Sequence, residues 1–302
     1  MQSNIEIDGI KYSGDDLMDL LIEKSSMPTM KLMASASDRL AFFVALHSAR
    51  LTFSRLILTP YFWNLGQIDK EINICPHHPV FRSTFSGSQV YLEWHNHIVE
   101  AVDPGLTIFT SGTTGAPKAV LHSWESISAS GCFIPERLSG RSWYLAYDPA
   151  SYAGLQVYFS AMASNGRLVV PCAKCDFTHH AERIVASGVD VISATPTWWR
   201  MLMAGWPPDL EKPSLHQATL GGEPVDQAIL DMIQNFFRPE HLTHIYATSE
   251  SGTAIVVSDR KAGFPICMLN NSRDVMLRIV DQILEIRSPY GMVGYMEDRT
   301  LK

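Results

Sequence analysis

Between Thr107 and Lys118 the chain reads Thr-Ile-Phe-Thr-Ser-Gly-Thr-Thr-Gly-Ala-Pro-Lys. An apolar segment leads into a loop holding Thr110, Ser111, Gly112, Thr113, Thr114 and Gly115, and Lys118 closes it. Glycine lets backbone N–H groups approach an anion closely, hydroxyl groups add donors, and a lysine brings a mobile positive charge. The chemistry these residues favour is phosphate binding. The Gly-Lys-Ser/Thr of a Walker loop is absent, which disfavours a kinase or P-loop ATPase. Ser111 also lacks the Gly-x-Ser-x-Gly elbow that a serine hydrolase needs.

The loop must be held by its neighbours, and the pattern around it alternates between strand and helix. Strands are expected near Leu106 to Phe109, Trp143 to Ala146, Arg167 to Val170, Val189 to Ala194, Ala218, and His244 to Ala247. Helices are expected from Ser123, after Gly154, and from Thr178, Thr197 and Asp226, so that the phosphate loop runs from strand to helix. Units of this length predict an α/β fold with mostly parallel sheets flanked by helices. Near the C-terminus Val275 to Val280 and Ile283 to Arg287 flank Asp281-Gln282, which predicts a small antiparallel hairpin. Upstream, Ser13 with Asp15 and Asp16 caps a helix to about Lys24, and Ala36 to Leu51 reads as an amphipathic helix. Residues 60 to 104 give no clean pattern, which suggests two lobes of about 1–104 and 105–302.

Composition bounds the partners. With 31 acidic and 24 basic side chains the net charge is -7 and no lysine or arginine cluster occurs, so neither nucleic acid nor an anionic membrane is an expected partner. Leu40 to Leu46 is the most apolar short stretch and is too short to span a bilayer. Met1 to Asp8 lacks the features of a signal peptide, so the expected location is cytoplasmic. Five scattered cysteines (Cys75, Cys132, Cys172, Cys175 and Cys267) predict free thiols rather than a disulfide framework. Cys172 and Cys175 with His179 and His180, and Cys75 with His77 and His78, have ligand-like spacing. Ordinary cysteines and histidines are the simpler reading of both.

Thr110 to Lys118 resembles the signature of the acyl-adenylate-forming superfamily, which comprises acyl- and aryl-CoA ligases, adenylation domains of nonribosomal peptide synthetases, and luciferases. Further motifs follow in that family's order. Gly221-Gly222-Glu223-Pro224 is similar to its adenine-contacting loop. Tyr246-Ala247-Thr248-Ser249-Glu250 resembles a motif whose tyrosine stacks on adenine, whose hydroxyl contacts the α-phosphate and whose glutamate binds magnesium. Ile283 to Pro289, followed by Gly294-Tyr295, looks like the β-segment beyond it, and Ala153 to Val157 before Gly166 to Pro171 is similar to small ligases of the o-succinylbenzoate type.

The resemblance implies reaction of a small carboxylic acid with ATP and Mg²⁺ to give an acyl-adenylate, then transfer to CoA or a phosphopantetheine thiol. Lys118, Ser249 and Glu250 are the implied catalytic residues, with Glu250 on the metal. The segment from Thr110 to Gly115, Gly221 to Pro224, Tyr246, Ala247 and Thr248 would bind nucleotide. Ser151, Tyr152, Trp198 and Trp199 are the expected acyl-pocket residues. Relatives continue beyond the Gly-Tyr into a ribose-binding aspartate, a hinge and a small C-terminal domain. Here only Met296 to Lys302 follow, and the N-terminal portion is also short. The expectation is therefore the large N-terminal portion alone, acting with a separate C-terminal domain or a carrier protein. The competing expectation is a catalytically impaired module that binds nucleotide or acyl-adenylate beside a partner protein.

Overall fold

The apolar runs of the sequence assemble into two main sheets with helices between and outside them. This computed structural model describes residues 4–19, 31–35, 39–51, 55–59, 82–86, 89–93, 105–110, 118–132, 134–270, 274–297 and 300–301. Ser111 to Gly115 of the expected phosphate loop, and Cys75, His77 and His78, lie outside the described residues.

The larger sheet has eight strands. β1 (Asn4–Ile7), β9 (Ser142–Leu145), β10 (Arg167–Val170), β11 (Val191–Ala194), β12 (Gln217–Leu220) and β13 (His241–Thr248) run parallel in the order β13-β12-β11-β9-β10-β1. β2 (Ile10–Ser13) and β14 (Gly252–Val257) close its two edges antiparallel to β1 and β13. A parallel sheet must be covered on both faces, and side-chain alternation shows how. Trp143, Leu145, Leu168 and Val170 enter one core, and Tyr144 and Val169 enter the other. The first core is shared with α2 (Arg39–Leu51) and α4 (Tyr152–Ala163), and the second with α5 (Phe177–Ala186), α6 (Pro196–Ala204) and α7 (Gln227–Phe237).

The second sheet places β3 (Lys31–Ser35), β4 (Arg55–Thr59) and β7 (Gly105–Thr110) parallel, then β8 (Lys118–His122), β17 (Gly294–Glu297) and β18 (Thr300–Leu301) antiparallel in turn. β5 (Arg82–Ser86) pairs with β6 (Gln89–Glu93). β15 (Met276–Val280) and β16 (Ile283–Arg287) form the expected hairpin. Its turn residues Asp281 and Gln282 have φ of 49° and 65°, the paired positive values of a type I′ turn.

Several expectations are corrected. The phosphate loop does not run into a helix, because Ala119 to His122 form buried β8, which pairs Lys118 with Thr110, and α3 (Trp124–Cys132) begins only afterwards. α2 is buried on more than one side. Phe42, Phe43, Val44, Ala45 and Leu46 are consecutive and buried, so they cover every side of a helix wedged between the sheets. Ser13 does cap α1 (Gly14–Asp19), its hydroxyl accepting from Asp16 N–H at 3.1 Å while Asp16 accepts from Ser13 N–H at 2.7 Å. Cys172 and Cys175 are bonded to each other, their Cα atoms 5.5 Å apart, which replaces the expectation of free thiols for that pair. β1 and β2 join the larger sheet and β17 the smaller.

Candidate adenylate site

Parallel strands present their loops at their carboxyl ends, and an open α/β sheet binds ligands there. The motif loops leave those ends. Tyr147 and Asp148 follow β9, Thr195 follows β11, Gly221 to Pro224 follow β12, and Ser249 and Glu250 follow β13. The second sheet supplies Thr110 at the end of β7 and Lys118 at the start of β8. Thr110 keeps its hydroxyl buried and without a hydrogen-bond partner among the described residues.

The two sheets meet through the turn between β13 and β14. Lys118 Nζ lies 5.3 Å above the centre of the Tyr295 ring, within cation–π range, and the Tyr295 hydroxyl donates to Glu250 Oε1 at 3.1 Å. Burial, then the Glu250 charge and the hydrogen bond to it, hold the Tyr295 phenol above its ordinary range. His122, at the end of β8, is fully buried and places Nε2 2.7 Å from the carbonyl oxygen of Ser249. A carbonyl can only accept, so Nε2 carries the hydrogen and Nδ1, 3.2 Å from Ser126 Oγ, is the acceptor in the neutral ring. Burial pushes the His122 pKa below the usual histidine range, against the smaller opposing pulls of the Ser249 carbonyl and Glu250.

Within the turn, Ser251 N–H donates to Thr248 Oγ1 at 3.0 Å, so the Thr248 hydroxyl shapes the turn. Tyr246 is half-buried, with its ring 6.1 Å from that of Phe264. In the Gly221 loop, Tyr147 donates to the Gly221 carbonyl at 3.2 Å, and a Cβ on Gly221 would stand 2.7 Å from Ile245 Cγ1. Glu223 Oε2 accepts from the Thr197 N–H at 2.9 Å and the Thr197 hydroxyl at 2.7 Å. Burial pushes its carboxyl up, but the hydrogen bonds from Thr197 and Thr195 outweigh this and leave it below the ordinary carboxylate range. Glu223 thus ties the Gly221 loop to the first turn of α6.

The expected acyl-pocket residues separate. Ser151 is the N-cap of α4, accepting from Gly154 N–H at 3.0 Å and donating to the Asp148 carbonyl at 2.6 Å. Tyr152 is buried with its ring centre 5.8 Å from His122, beside the junction of the sheets. Trp199 is fully buried, donates to the Thr219 carbonyl at 3.1 Å and packs on Phe237. It is a core residue and not a wall of an open pocket. Adjacent positions on a helix differ by about 100°, so the two tryptophans meet different neighbours. Trp198 instead meets Tyr144, Phe177 and His180 between α5 and α6. A separate concavity of about 770 Å³ opens between α6 and α7, lined by Arg200, Met203, Lys212, Met232, Phe236 and Arg238 and by none of the motif residues.

Comparison with known proteins decides what the loops belong to. A family model described as AMP-binding enzyme matches residues 37–296. The chain belongs to the AMP-binding enzyme family. Its relatives include nonribosomal peptide synthetase 8 of Aspergillus fumigatus, 29% identical over 178 residues, which is 56% of this chain and 2% of that protein. A substituted octahydroindenyl-propanoyl:CoA ligase of Mycobacterium tuberculosis is 27% identical over 201 residues, 63% of this chain and 39% of that protein. The matches thus span well under half the length of these two curated relatives. Two solved AMP-binding structures share the fold. o-Succinylbenzoate CoA synthetase of Bacillus subtilis, in complex with an acyl-adenylate intermediate, has a TM-score of 0.67 at 14% identity, covering 98% of this chain and 68% of that one. The NpsA N-terminal subdomain of Klebsiella oxytoca, in complex with 3-hydroxybenzoyl-AMSN, has a TM-score of 0.71 at 14% identity, covering 97% of this chain and 85% of that one. Among the described residues no helix is long and apolar enough to cross a membrane.

His122, Tyr147 and the positioning role of Tyr295 escape sequence reasoning, because a single histidine or tyrosine in or just after a strand carries no spacing signal.

Proposed function

We propose that this chain activates a small carboxylic acid with ATP, forming an acyl-adenylate and pyrophosphate, for transfer to CoA or to a phosphopantetheine thiol on a carrier protein. The observation that carries this reading is the convergence of Lys118, Tyr295 and Glu250, drawn from three distant segments, on one junction between the sheets. Adenylation joins a carboxylate oxygen to the α-phosphorus and expels pyrophosphate, so charge accumulates on phosphate oxygens. Positioning and oriented positive charge are what the protein must supply.

In this reading Lys118 and the loop from Thr110 to Gly115 meet the phosphates, Ser249 donates to the α-phosphate, and Tyr246, Ala247, Thr248 and Gly221 to Pro224 hold the adenosine. Glu250 fits Mg²⁺, which binds through one or two carboxylates plus substrate phosphates, and its carboxylate is half-buried with Tyr295 as a neutral donor. When bound, the ion would neutralise charge on the phosphates. Tyr152 and Trp198 are the remaining acyl-side residues, and the partners are a carboxylic acid, an acceptor thiol and a C-terminal domain or carrier protein.

The test is acid-dependent exchange of labelled pyrophosphate into ATP across a panel of aryl and medium-chain acids. Lys118→Ala and Glu250→Gln are expected to lower the rate about 10²–10³-fold, the range for loss of one transition-state contact. Exchange unchanged in both variants would remove these roles.

A further inference from the structure

The amino-terminal ends of β12 and β13, opposite the adenylate loops, carry His216, Glu240 and His241. One ligand atom from each residue lies within 4.8 Å of the other two. His216 is only 6% exposed, and neither of its ring nitrogens has a hydrogen-bond partner. Its Nδ1 stands 2.8 Å from Glu240 Oε2, out of line for a hydrogen bond. The His241 ring meets the His216 ring edge-on at 5.4 Å. The backbone holds all three in place. His216 N–H donates to the Asp190 carbonyl at 2.8 Å, Glu240 N–H to the Leu215 carbonyl at 3.1 Å, and His241 N–H to the His216 carbonyl at 3.1 Å.

We propose that His216, Glu240 and His241 form a divalent transition-metal site that takes Zn²⁺ through two imidazole nitrogens and one carboxylate oxygen. A buried imidazole without a hydrogen bond is costly, and a cation satisfies its lone pair directly. Two imidazoles and a carboxylate are a familiar zinc donor set, and the exposed side of Glu240 leaves a fourth position to water. Arg137 and Arg260 also face His241. Arg137 is held by Gln217 Oε1 at 2.8 Å and Arg260 by the Glu240 carbonyl at 3.3 Å. Their positive charge opposes hard cations that bind by charge alone, so the site favours an ion with intrinsic nitrogen affinity over Mg²⁺ or Ca²⁺. The ion would clamp the start of β12 to the start of β13, and its binding is independent of the adenylate loops.

The test is calorimetric titration of the full chain with Zn²⁺ in excess Mg²⁺, in a Cys267→Ser background that removes the exposed free thiol. One ion per chain is expected, with Glu240→Ala and His241→Ala each weakening binding at least about tenfold. Both positions are partly open, so these variants keep their fold where a change at buried His216 would not, and circular dichroism checks this. Substituted Co²⁺ should show nitrogen and oxygen ligand-field bands without a thiolate charge-transfer band. Absence of Zn²⁺ binding, binding unchanged by both variants, or a thiolate band from another site would each overturn the proposal.

Discussion

His122 Nε2 donates to the backbone carbonyl of Ser249 at 2.7 Å, joining strands 127 residues apart in sequence. The bond fixes the turn that carries Glu250 relative to the strand that begins at Lys118. His122→Ala would leave a carbonyl unpaired at a cost of about 1–3 kcal/mol, which is roughly 5-fold to 150-fold in a rate that depends on that alignment. Pyrophosphate exchange checks it, with His122→Gln, which retains a side-chain N–H donor, expected to recover part of the loss.

The same histidine sets a pH dependence. Its pKa is lowered in the fold, so the unfolded chain takes up the proton first as pH falls. The neutral ring costs the fold nothing above about pH 6.5, and stability drops as pH falls below that value toward the lower folded pKa. The loss of Tm between pH 7.5 and 5.5 should be smaller in His122→Gln than in the wild type.

Tyr295→Phe removes the hydroxyl that orients Glu250 and leaves the ring beneath Lys118. A hydrogen bond to a charged acceptor is worth about 1.5 kcal/mol or more, so Mg·ATP should bind about tenfold more weakly with Tm nearly unchanged. Titration calorimetry beside a melting curve checks both halves.

Glu6 is 5% exposed and meets Arg167 at 3.2 Å, Arg183 at 3.1 Å and the Ser187 hydroxyl at 2.8 Å. Arg167 also donates to the Ser187 carbonyl. Glu6→Ala would take the shared carboxylate from the Arg183 and Arg167 guanidinium groups, both of them partly exposed, with an expected loss of about 1–3 kcal/mol by urea denaturation. Its location far from the Lys118 junction predicts retained exchange activity in the folded fraction.

Gly154 sits in the first turn of α4, where an added Cβ would stand 2.1 Å from the Asp148 carbonyl oxygen. The neighbour is backbone and cannot swing away. Gly154→Ala is expected to cost about 1–3 kcal/mol in denaturant titration.

These sites show what the sequence makes legible. β9 to β11 are readable because each is a short, largely apolar run in a covered parallel sheet, and Asp226 announces α7 by capping it. β1 is not readable, since its four residues gain meaning only by pairing with β10, some 160 positions away. β8 is hidden for the opposite reason: Lys118 and Ser123 look like loop and helix signals, and only pairing with β7 makes a strand of what lies between. The resemblance nominates Lys118, Glu250 and Tyr246 from their motifs, whereas the contacts of His122 and Tyr295 exist only once both sheets are assembled. Trp199 is misassigned because an aromatic pair on a helix looks the same in sequence whether it lines a pocket or fills a core.

The central claim is a live nucleotide site at the Lys118, Tyr295 and Glu250 junction, and calorimetric titration of Mg·ATP into the wild type and Lys118→Ala tests it most directly. The account predicts saturable binding, one nucleotide per chain, that the substitution weakens at least about tenfold. Equal binding by both proteins, or none by the wild type, would contradict it.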